Sequence, residues 1–418
     1  MKFGTKAETL ERLESEVTRS QIKPQLAFTT KQWRQAPGDI LALIAQRFPD
    51  RMVVVRSSAI SEDSARKSNA GVYKSLLNID SANLESVSRA VDAVISSYVE
   101  YTPRNQVLVQ EQLEDVLMCG VLFTRDLTTL GPYYVFNYDD ASGSTVSVTS
   151  GTSSSLKTWV RFRGAKQPAI DWLATRVIAA AQEIESLLND DRLEMELAID
   201  HDGHVWIFQV RPITIPALKL GSDEVVEASL AKVEKKIIKL AGPHPDLRGT
   251  RSVFGVMPDW NPAEIIGVKP RALALSLYKE IITDAIWAYQ RDNYGYRNLR
   301  SFPLLISLLG IPFVDVRVSF NSFIPKGLSE SLADKLVNYY VDRLVDQPHS
   351  HDKVEFDIVF SCHYPGIQEK IKILQEHGFT QTEIDEILSA LRSLTNHIIR
   401  PESGLCKLDL AKIETLVK

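Results

Sequence analysis

Glu194, Glu196, Gln209 and Arg211 lie where two alternating runs would bring oxygen ligands and a guanidinium together. The stretch 193–214, LEMELAIDHDGHVWIFQVRPIT, reads as a β-hairpin turning at His201–His204. Pairing the arms about Asp202 and Gly203 sets Met195 against Val210, Leu197 against Phe208 and Ile199 against Trp206, all apolar. On the other face Glu196 opposes Gln209 and Glu194 opposes Arg211. Opposed side chains sit about 4.5–5.5 Å apart at Cβ. Carboxylate and amide oxygens at that spacing suit a hard cation such as Mg²⁺, and an adjacent guanidinium suits the phosphates of a Mg²⁺-triphosphate. An amphipathic hairpin with a solvated polar face has the same pattern, so the hairpin alone leaves both readings open.

The elements that would position this face begin upstream. Met52–Val55 is an apolar run expected to form a short strand that delivers Arg56 to its end, where α/β folds place ligands. Ser57, Ser58, Ser61 and Ser68 are small hydroxyl residues that can line a phosphate site without crowding it, and Gly71 permits close backbone approach. The spacing of Leu84, Val87, Val91, Val94, Ile95 and Tyr98 predicts a helix within 83–101. Strands are expected at Val107–Gln110, Gly120–Thr124 and Tyr133–Tyr138, and a second amphipathic helix at Ile170–Leu188. Asp139–Ser144 reads as a turn, and the hydroxyl-rich Ser147–Ser155 as either a phosphate-covering lid or a solvated connection.

These segments together resemble the nucleotide-binding domain of the phosphoenolpyruvate synthase and pyruvate phosphate dikinase family, shared by rifampicin phosphotransferase and L-glutamine kinase. The resemblance rests on Val53-Val54-Val55-Arg56-Ser57-Ser58-Ala59, Glu62-Asp63, Ser68-Asn69-Ala70-Gly71 and Leu76-Leu77-Asn78. Gln209-Val210-Arg211-Pro212-Ile213-Thr214 resembles the family's "Q.RPIT" close, and Gly4-Thr5-Lys6 with Leu10 and Leu13 its opening. Val107–Gln110 and Gly120–Thr124 resemble a further segment, so the likeness runs in order over about 1–215. It implies an ATP-grasp-type domain using ATP and Mg²⁺, with Lys6, Arg56 and Arg211 on the phosphates and Glu196 and Gln209 on the metal. It also implies that the chain near Gln110, Glu111 and Leu113 lies against the adenine. Two departures stand out. Thr5 replaces the family's second glycine, and only Ser150-Gly151 survives of its glycine-rich loop.

Composition narrows the remaining classes. The 418 residues carry 48 basic and 53 acidic side chains, a net charge of −5, which argues against a polyanion-binding protein. The start MKFGTKAETLERLE lacks a signal peptide's apolar core, and no apolar run approaches membrane-spanning length. Cys119, Cys362 and Cys406 have no metal-ligand spacing. The expected setting is the cytoplasm, with neither nucleic acid nor membrane as a partner.

The character changes after Pro212. A lysine-rich helix is expected at Val225–Leu240, stopped by Ala241-Gly242-Pro243-His244-Pro245. A helix is also expected at Ser276–Arg291. In Val314–Asn321 apolar residues alternate with Asp315, Arg317, Ser319 and Asn321, which predicts a strand with one polar face. Such a face could hold a small zwitterion on Asp315 and Arg317, or be a structural ion-pair ladder. The motifs MPDWNPAEIIG, SLYKEIITDAIWAYQRDNYGYR and VDVRVSFNSFIPK resemble the middle region of dikinase-like proteins found with capsule-modification genes, the group that includes L-glutamine kinase.

Family dikinases relay phosphate through a histidine in a "GG..SH.AI"-like context. None of the eight histidines here has that context; His349 and His351, the most suggestive pair, read as a surface segment. The expected organisation is an α/β (α+β) chain: an ATP-grasp nucleotide-binding domain at 1–218, a linker helix at 219–249 and a mainly helical substrate-side domain at 250–418. The expected function is dikinase-type phosphoryl transfer to a small acceptor, foremost the amide of L-glutamine, with a phosphohistidine domain supplied in cis or in trans. Pyruvate or an antibiotic hydroxyl as acceptor, and an ATP-binding regulatory module without turnover, remain the alternatives.

Overall fold

A computed structural model of the chain describes residues 1–60, 74–98, 102–141, 156–166, 172–214, 222–361 and 365–399. Ser61, Ser68, Gly71, the Ser147–Ser155 segment, Cys362 and Cys406 lie outside the described residues. The chain is mixed α/β and divides into two compact units, Met1–Glu227 and Ala228–Lys418.

In chain order the first unit holds α1 (Lys6–Glu14), β1 (Gln25–Thr29), α2 (Thr30–Gln35), α3 (Pro37–Arg47), β2 (Met52–Ser58), β3 (Ser75–Asp80) and α4 (Leu84–Ile95). There follow β4 (Gln106–Glu111), β5 (Val116–Phe123), β6 (Tyr133–Asp139), β7 (Lys157–Phe162), α5 (Trp172–Leu188), β8 (Leu193–Asp200) and β9 (Val205–Pro212). The strands form two antiparallel sheets, ordered β1-β4-β2-β3 and β7-β6-β5-β8-β9.

Local sequence explains most of these boundaries. Asn83 caps α4 by accepting from the Ser86 N–H at 3.0 Å, and Val87, Ala90, Val91 and Val94 are its buried face. That face packs with Val53, Val55, Val107 and Val109 of the smaller sheet. The larger sheet packs Leu122, Met195, Leu197 and Ile207 with Val177, Ala181 and Ile184 of α5 and with Leu10 and Leu13 of α1. Gly120 sits where β5 meets β6. A Cβ there would lie 2.4 Å from the Asn137 carbonyl oxygen and 2.6 Å from the Phe136 ring. Backbone cannot yield as a flexible side chain can, so Gly120→Ala is expected to cost about 1–3 kcal/mol. Urea denaturation of the variant checks this.

Two sequence expectations change in this unit. Arg56 lies within β2, an interior antiparallel strand running to Ser58, rather than at the end of a short strand closing at Val55. The hairpin keeps the expected pairs Glu194–Arg211, Met195–Val210 and Glu196–Gln209, then slips by one residue. Beyond the slip Leu197 faces Ile207 and Ile199 faces Val205, because Phe208 is an extra residue in β9, as in a β-bulge.

The helix α6 (Asp223–Ala241) is followed in the second unit by β10 (Phe254–Gly255), α7 (Pro262–Ile265), α8 (Ala272–Tyr278) and α9 (Ile286–Tyr294). Then come β11 (Leu305–Leu308), β12 (Ile311–Asp315), α10 (Val316–Asn321), α11 (Glu330–Asp346), α12 (Ile367–Glu376) and α13 (Gln381–Ile399). The three strands form a small sheet ordered β10-β12-β11. The core gathers Phe320, Leu336, Tyr340, Val341, Phe360 and Ile384 from several helices and loops.

Here too the structure corrects local readings. The expected Ser276–Arg291 helix is broken: α8 gives way to a π-turn at Lys279–Thr283 before α9 begins. The expected strand through Phe320 ends at Asp315, and α10 follows. Asp315 is its N-cap, accepting from the Val318 N–H at 3.2 Å. All six residues of α10 are buried. A helix buried on every side carries no exposed polar face to betray its period, so its alternation mimicked a strand. Burial pushes the Asp315 carboxyl above its ordinary range, although Ser252 donates to it at 2.5 Å. Arg317 donates to the carbonyls of Gly242 at 2.7 Å and Leu240 at 3.0 Å. Both proposed zwitterion ligands therefore bind the chain's own backbone and side chains rather than lining an open polar face.

Candidate functional site

The N-terminal turn of α1 is the first wall of the site. Thr5 and Glu8 form a reciprocal capping box, which fixes where the helix starts. Ser58 at the end of β2 accepts the Ala7 N–H at 3.0 Å, and Thr5 donates its hydroxyl to Gln106 of β4 at 2.7 Å. The helix start is thus pinned to the smaller sheet, while Leu10 and Leu13 are buried with the larger one. Lys6 is only 3% exposed.

Arg56 reaches from the smaller sheet to the larger. Its Nη2 donates to Glu196 Oε2 at 2.7 Å and its Nη1 to the Phe208 carbonyl at 3.1 Å. The register slip at Phe208 places that acceptor at the bulge. Beside it Arg211 is ion-paired with Glu194, and Gln209 is buried. Burial opposes ionisation of Glu196, but Arg56, Lys6 and Arg211 together hold its carboxyl below the ordinary range. Three cations thus surround two carboxylates and one amide, which leaves the locus able to attract an anion.

The direction of that shift has a consequence for stability. A carboxyl with a depressed folded-state pKa contributes stability that is complete above its unfolded value and lost as pH falls through its folded one. The stability difference between wild type and Glu196→Ala is therefore expected to be full at neutral pH and to vanish only below the ordinary glutamate range. Denaturant melts across an acid series check this; a difference already lost at neutral pH would oppose it.

The residues expected near a base lie at another place in the same unit. Gln110 is buried and donates to the Lys23 carbonyl at 3.3 Å, while Glu111 accepts from Lys23 Nζ at 3.3 Å. Leu113 is buried with Cys119 and Ala198, against partly buried Val116, Trp206 and Phe208. Lys23 also stands 4.3 Å from the Trp206 ring centroid. Lys23, and Trp206 and Phe208 as residues beside it, escaped the sequence-based set. The bulge turns Trp206 and Phe208 to the opposite face from the one simple alternation assigns.

Lys6, Arg56, Glu196, Gln209 and Arg211 are brought together; Gln110 and Glu111 end β4, and Leu113 lies in the segment joining the two sheets. Asp315 and Arg317 belong to the second unit and are engaged there. Among the described residues no cluster of three or more His, Cys, Asp or Glu could hold a metal by itself, and His349 and His351 form no such centre. Glu196 and Gln209 fit an oxygen-seeking ion that takes its remaining ligands from phosphate and water. Among the described residues no helix is long and apolar enough to cross a membrane.

Residues 28–112 match the family model described as pyruvate phosphate dikinase, AMP/ATP-binding domain. That span holds Val53–Ala59, Leu76–Asn78 and Val107–Gln110, three of the segments on which the sequence resemblance rests. No curated protein matches the chain. Among solved structures it is similar to the D-alanine-D-alanine ligase from Helicobacter pylori, with 12% identity, 50% of this chain and 54% of that chain covered and a TM-score of 0.30. It is also similar to the ligase from Coxiella burnetii, at 10% identity, 49% and 46% coverage and a TM-score of 0.30. D-alanyl-alanine synthetase A from Vibrio cholerae gives 11% identity, 46% and 50% coverage and a TM-score of 0.28. The chain spans about half the length of these proteins.

Proposed function

We propose that the first unit binds ATP with Mg²⁺ between its two sheets, as an ATP-grasp-type domain, and that the chain is part of an ATP-dependent phosphotransferase of dikinase type. The observation that carries this is the convergence of Lys6, Arg56 and Arg211 on Glu196 and Gln209, from one helix and three strands. The match of residues 28–112 to an AMP/ATP-binding domain supports it.

In this reading Glu196 and Gln209 would hold the cation, which would supply charge neutralisation at the phosphates. Arg56 exchanges Glu196 for a phosphate oxygen, and Arg211 grips a second phosphate through its planar fork. Lys6 adds a point charge at the start of α1. Phosphoryl transfer needs little covalent work from the protein, so positioning and charge are the contribution of these residues. The base lies toward Gln110, Glu111 and Leu113, where Trp206 and Phe208 offer aromatic surface.

Residues 1–218 form the nucleotide-binding domain and 250–418 the substrate-side domain, joined by the helical linker 219–249. The acceptor is a small molecule, foremost the amide of L-glutamine, and phosphate reaches it through a histidine on a further domain acting in cis or in trans. Calorimetric titration of ATP with and without Mg²⁺ tests the nucleotide site; absence of binding in both conditions would overturn it. ³¹P NMR of ATP with the 418-residue chain and L-glutamine tests the relay. No phosphorylated product is expected from the chain alone, and steady coupled AMP formation by it would point to direct transfer.

A further inference from the structure

Two motifs that the nucleotide site leaves unused, MPDWNPAEIIG and SLYKEIITDAIWAYQRDNYGYR, meet inside the second unit. Asp259, from the first, has a φ of +51°, in the left-handed region that few non-glycine residues adopt, and its side chain is 5% exposed. Arg291, from the second, donates Nη2 to Asp259 Oδ1 at 3.2 Å and lies over the Phe323 ring. Ser319 of α10 donates to the other carboxylate oxygen at 2.9 Å. Burial pushes the Asp259 carboxyl above its ordinary range in spite of both partners. Burial, and then the Asp259 carboxylate, push Glu355 up as well, against the pull of Arg291, so Glu355 stands beside this pair.

The backbone around these groups is unusual on two sides. π-Helical turns hold well under about 1% of residues in soluble proteins and recur at functional sites. One occupies Lys279–Thr283, just before α9, and another, Val354–Ile358, carries Glu355. Thr283, Trp287 and Arg291 follow one another at intervals of four, which sets them along one side of the chain. Thr283 and Trp287 are almost wholly buried, yet among the described residues neither the hydroxyl nor the indole N–H has a hydrogen-bond partner. The indole N–H of Trp260, which packs on the same apolar cluster as Trp287, has none either. About nine in ten buried polar groups are partnered. Three orphans beside one buried ion pair point to a polar molecule that serves them together.

The residue types restrict that molecule. Asp259 and Glu355 against Arg291 leave one negative charge in excess in a poorly hydrated setting, which an ammonium would neutralise. Indole N–H groups only donate, so they require an acceptor such as a carboxylate. One small ligand carrying both groups meets both demands.

We propose that this cluster in the second unit is the acceptor site and takes a zwitterionic amino acid, its ammonium on Asp259 and Glu355 and its carboxylate on Trp260, Trp287 and Arg291. The inference rests on the reading of 250–418 as the substrate-side domain. It keeps the acceptor apart from the nucleotide, as a histidine relay requires, and moves it from Asp315 and Arg317 to neighbours whose donors are unspent.

The test titrates the full chain, without nucleotide, by calorimetry. L-Glutamine and glycine are the zwitterions. Each is paired with an analogue lacking the ammonium (glutaramate, acetate) and one lacking the carboxylate (γ-aminobutyramide, methylammonium). At least one zwitterion is expected to bind, and its two analogues at least about tenfold more weakly. Glu355→Gln and Trp260→Phe should each weaken the zwitterion by about tenfold, as loss of a hydrogen bond to a charged group implies. Urea melts and ATP affinity, both expected near wild type, identify the variants as folded. The assignment is overturned if neither zwitterion binds, if the analogues bind as tightly, or if folded Glu355→Gln binds like wild type; internal water alone then serves the orphaned donors. If glycine binds and L-glutamine does not, the zwitterion site stands and glutamine falls as the acceptor. Failure of wild type to bind ATP would remove the nucleotide reading and leave this site in place.

Discussion

Glu196→Gln is expected to weaken Mg²⁺-ATP binding by at least about tenfold while leaving metal-free ATP binding equal or tighter. Changes merely to the partners of metal ligands cost about 10–100-fold in affinity, so loss of a ligand's charge should cost no less. The second half of the expectation follows from the ion pair. Glu196 holds Arg56 at 2.7 Å, and neutralising it releases a guanidinium that phosphate can then claim. A residue serving only as a structural partner of Arg56 would give the opposite pattern, with both forms of the nucleotide losing equally. Calorimetry of wild type and variant, each with and without Mg²⁺, separates the two. Gln209→Ala should share the metal-dependent loss but not the metal-free gain, because the carboxylate that pairs with Arg56 is intact.

Arg211 offers the second large effect, and two substitutions divide it. Arg211→Met leaves the Glu194 carboxylate with its partner gone in a mostly buried setting, a change that typically costs about 3–5 kcal/mol. Arg211→Lys keeps a cation opposite Glu194 and should keep most of that stability. It cannot reproduce a planar two-point contact with phosphate, so its nucleotide affinity should fall nonetheless. The informative outcome is the split: Met loses fold stability in urea melts, whereas Lys melts near wild type and binds ATP poorly. Wild-type ATP affinity in Arg211→Lys would remove Arg211 from the phosphate site and leave it a structural ion pair.

Much of this site was legible from local pattern alone. Period-two alternation put Glu194 and Glu196 on one face of β8, and pairing about the turn placed Arg211 and Gln209 opposite them. The same rule failed one step further along because a bulge adds a residue without changing composition. Nothing in the run of letters marks Phe208 as the extra one, yet it decides which way Trp206 points and where the carbonyl that Arg56 uses is placed. Alternation also misread α10, where a helix with no exposed side has no amphipathic signal to show.

The sequence by itself determined the fold class, most elements, the polar hairpin face and the chemistry its residue types can support. Tertiary structure decided which charges meet. Arg56 and Glu196 are 140 residues apart, and their contact depends on two sheets closing on each other. Lys6, only five residues from the chain start, is buried where Ser58 and Gln106 anchor the first turn of α1. Asp315 and Arg317 look available in the sequence and are consumed by a helix cap and backbone carbonyls in the fold. The physical reason is common to these cases. Periodicity fixes which face a side chain takes within its own element, whereas burial and partner choice depend on what packs against that face.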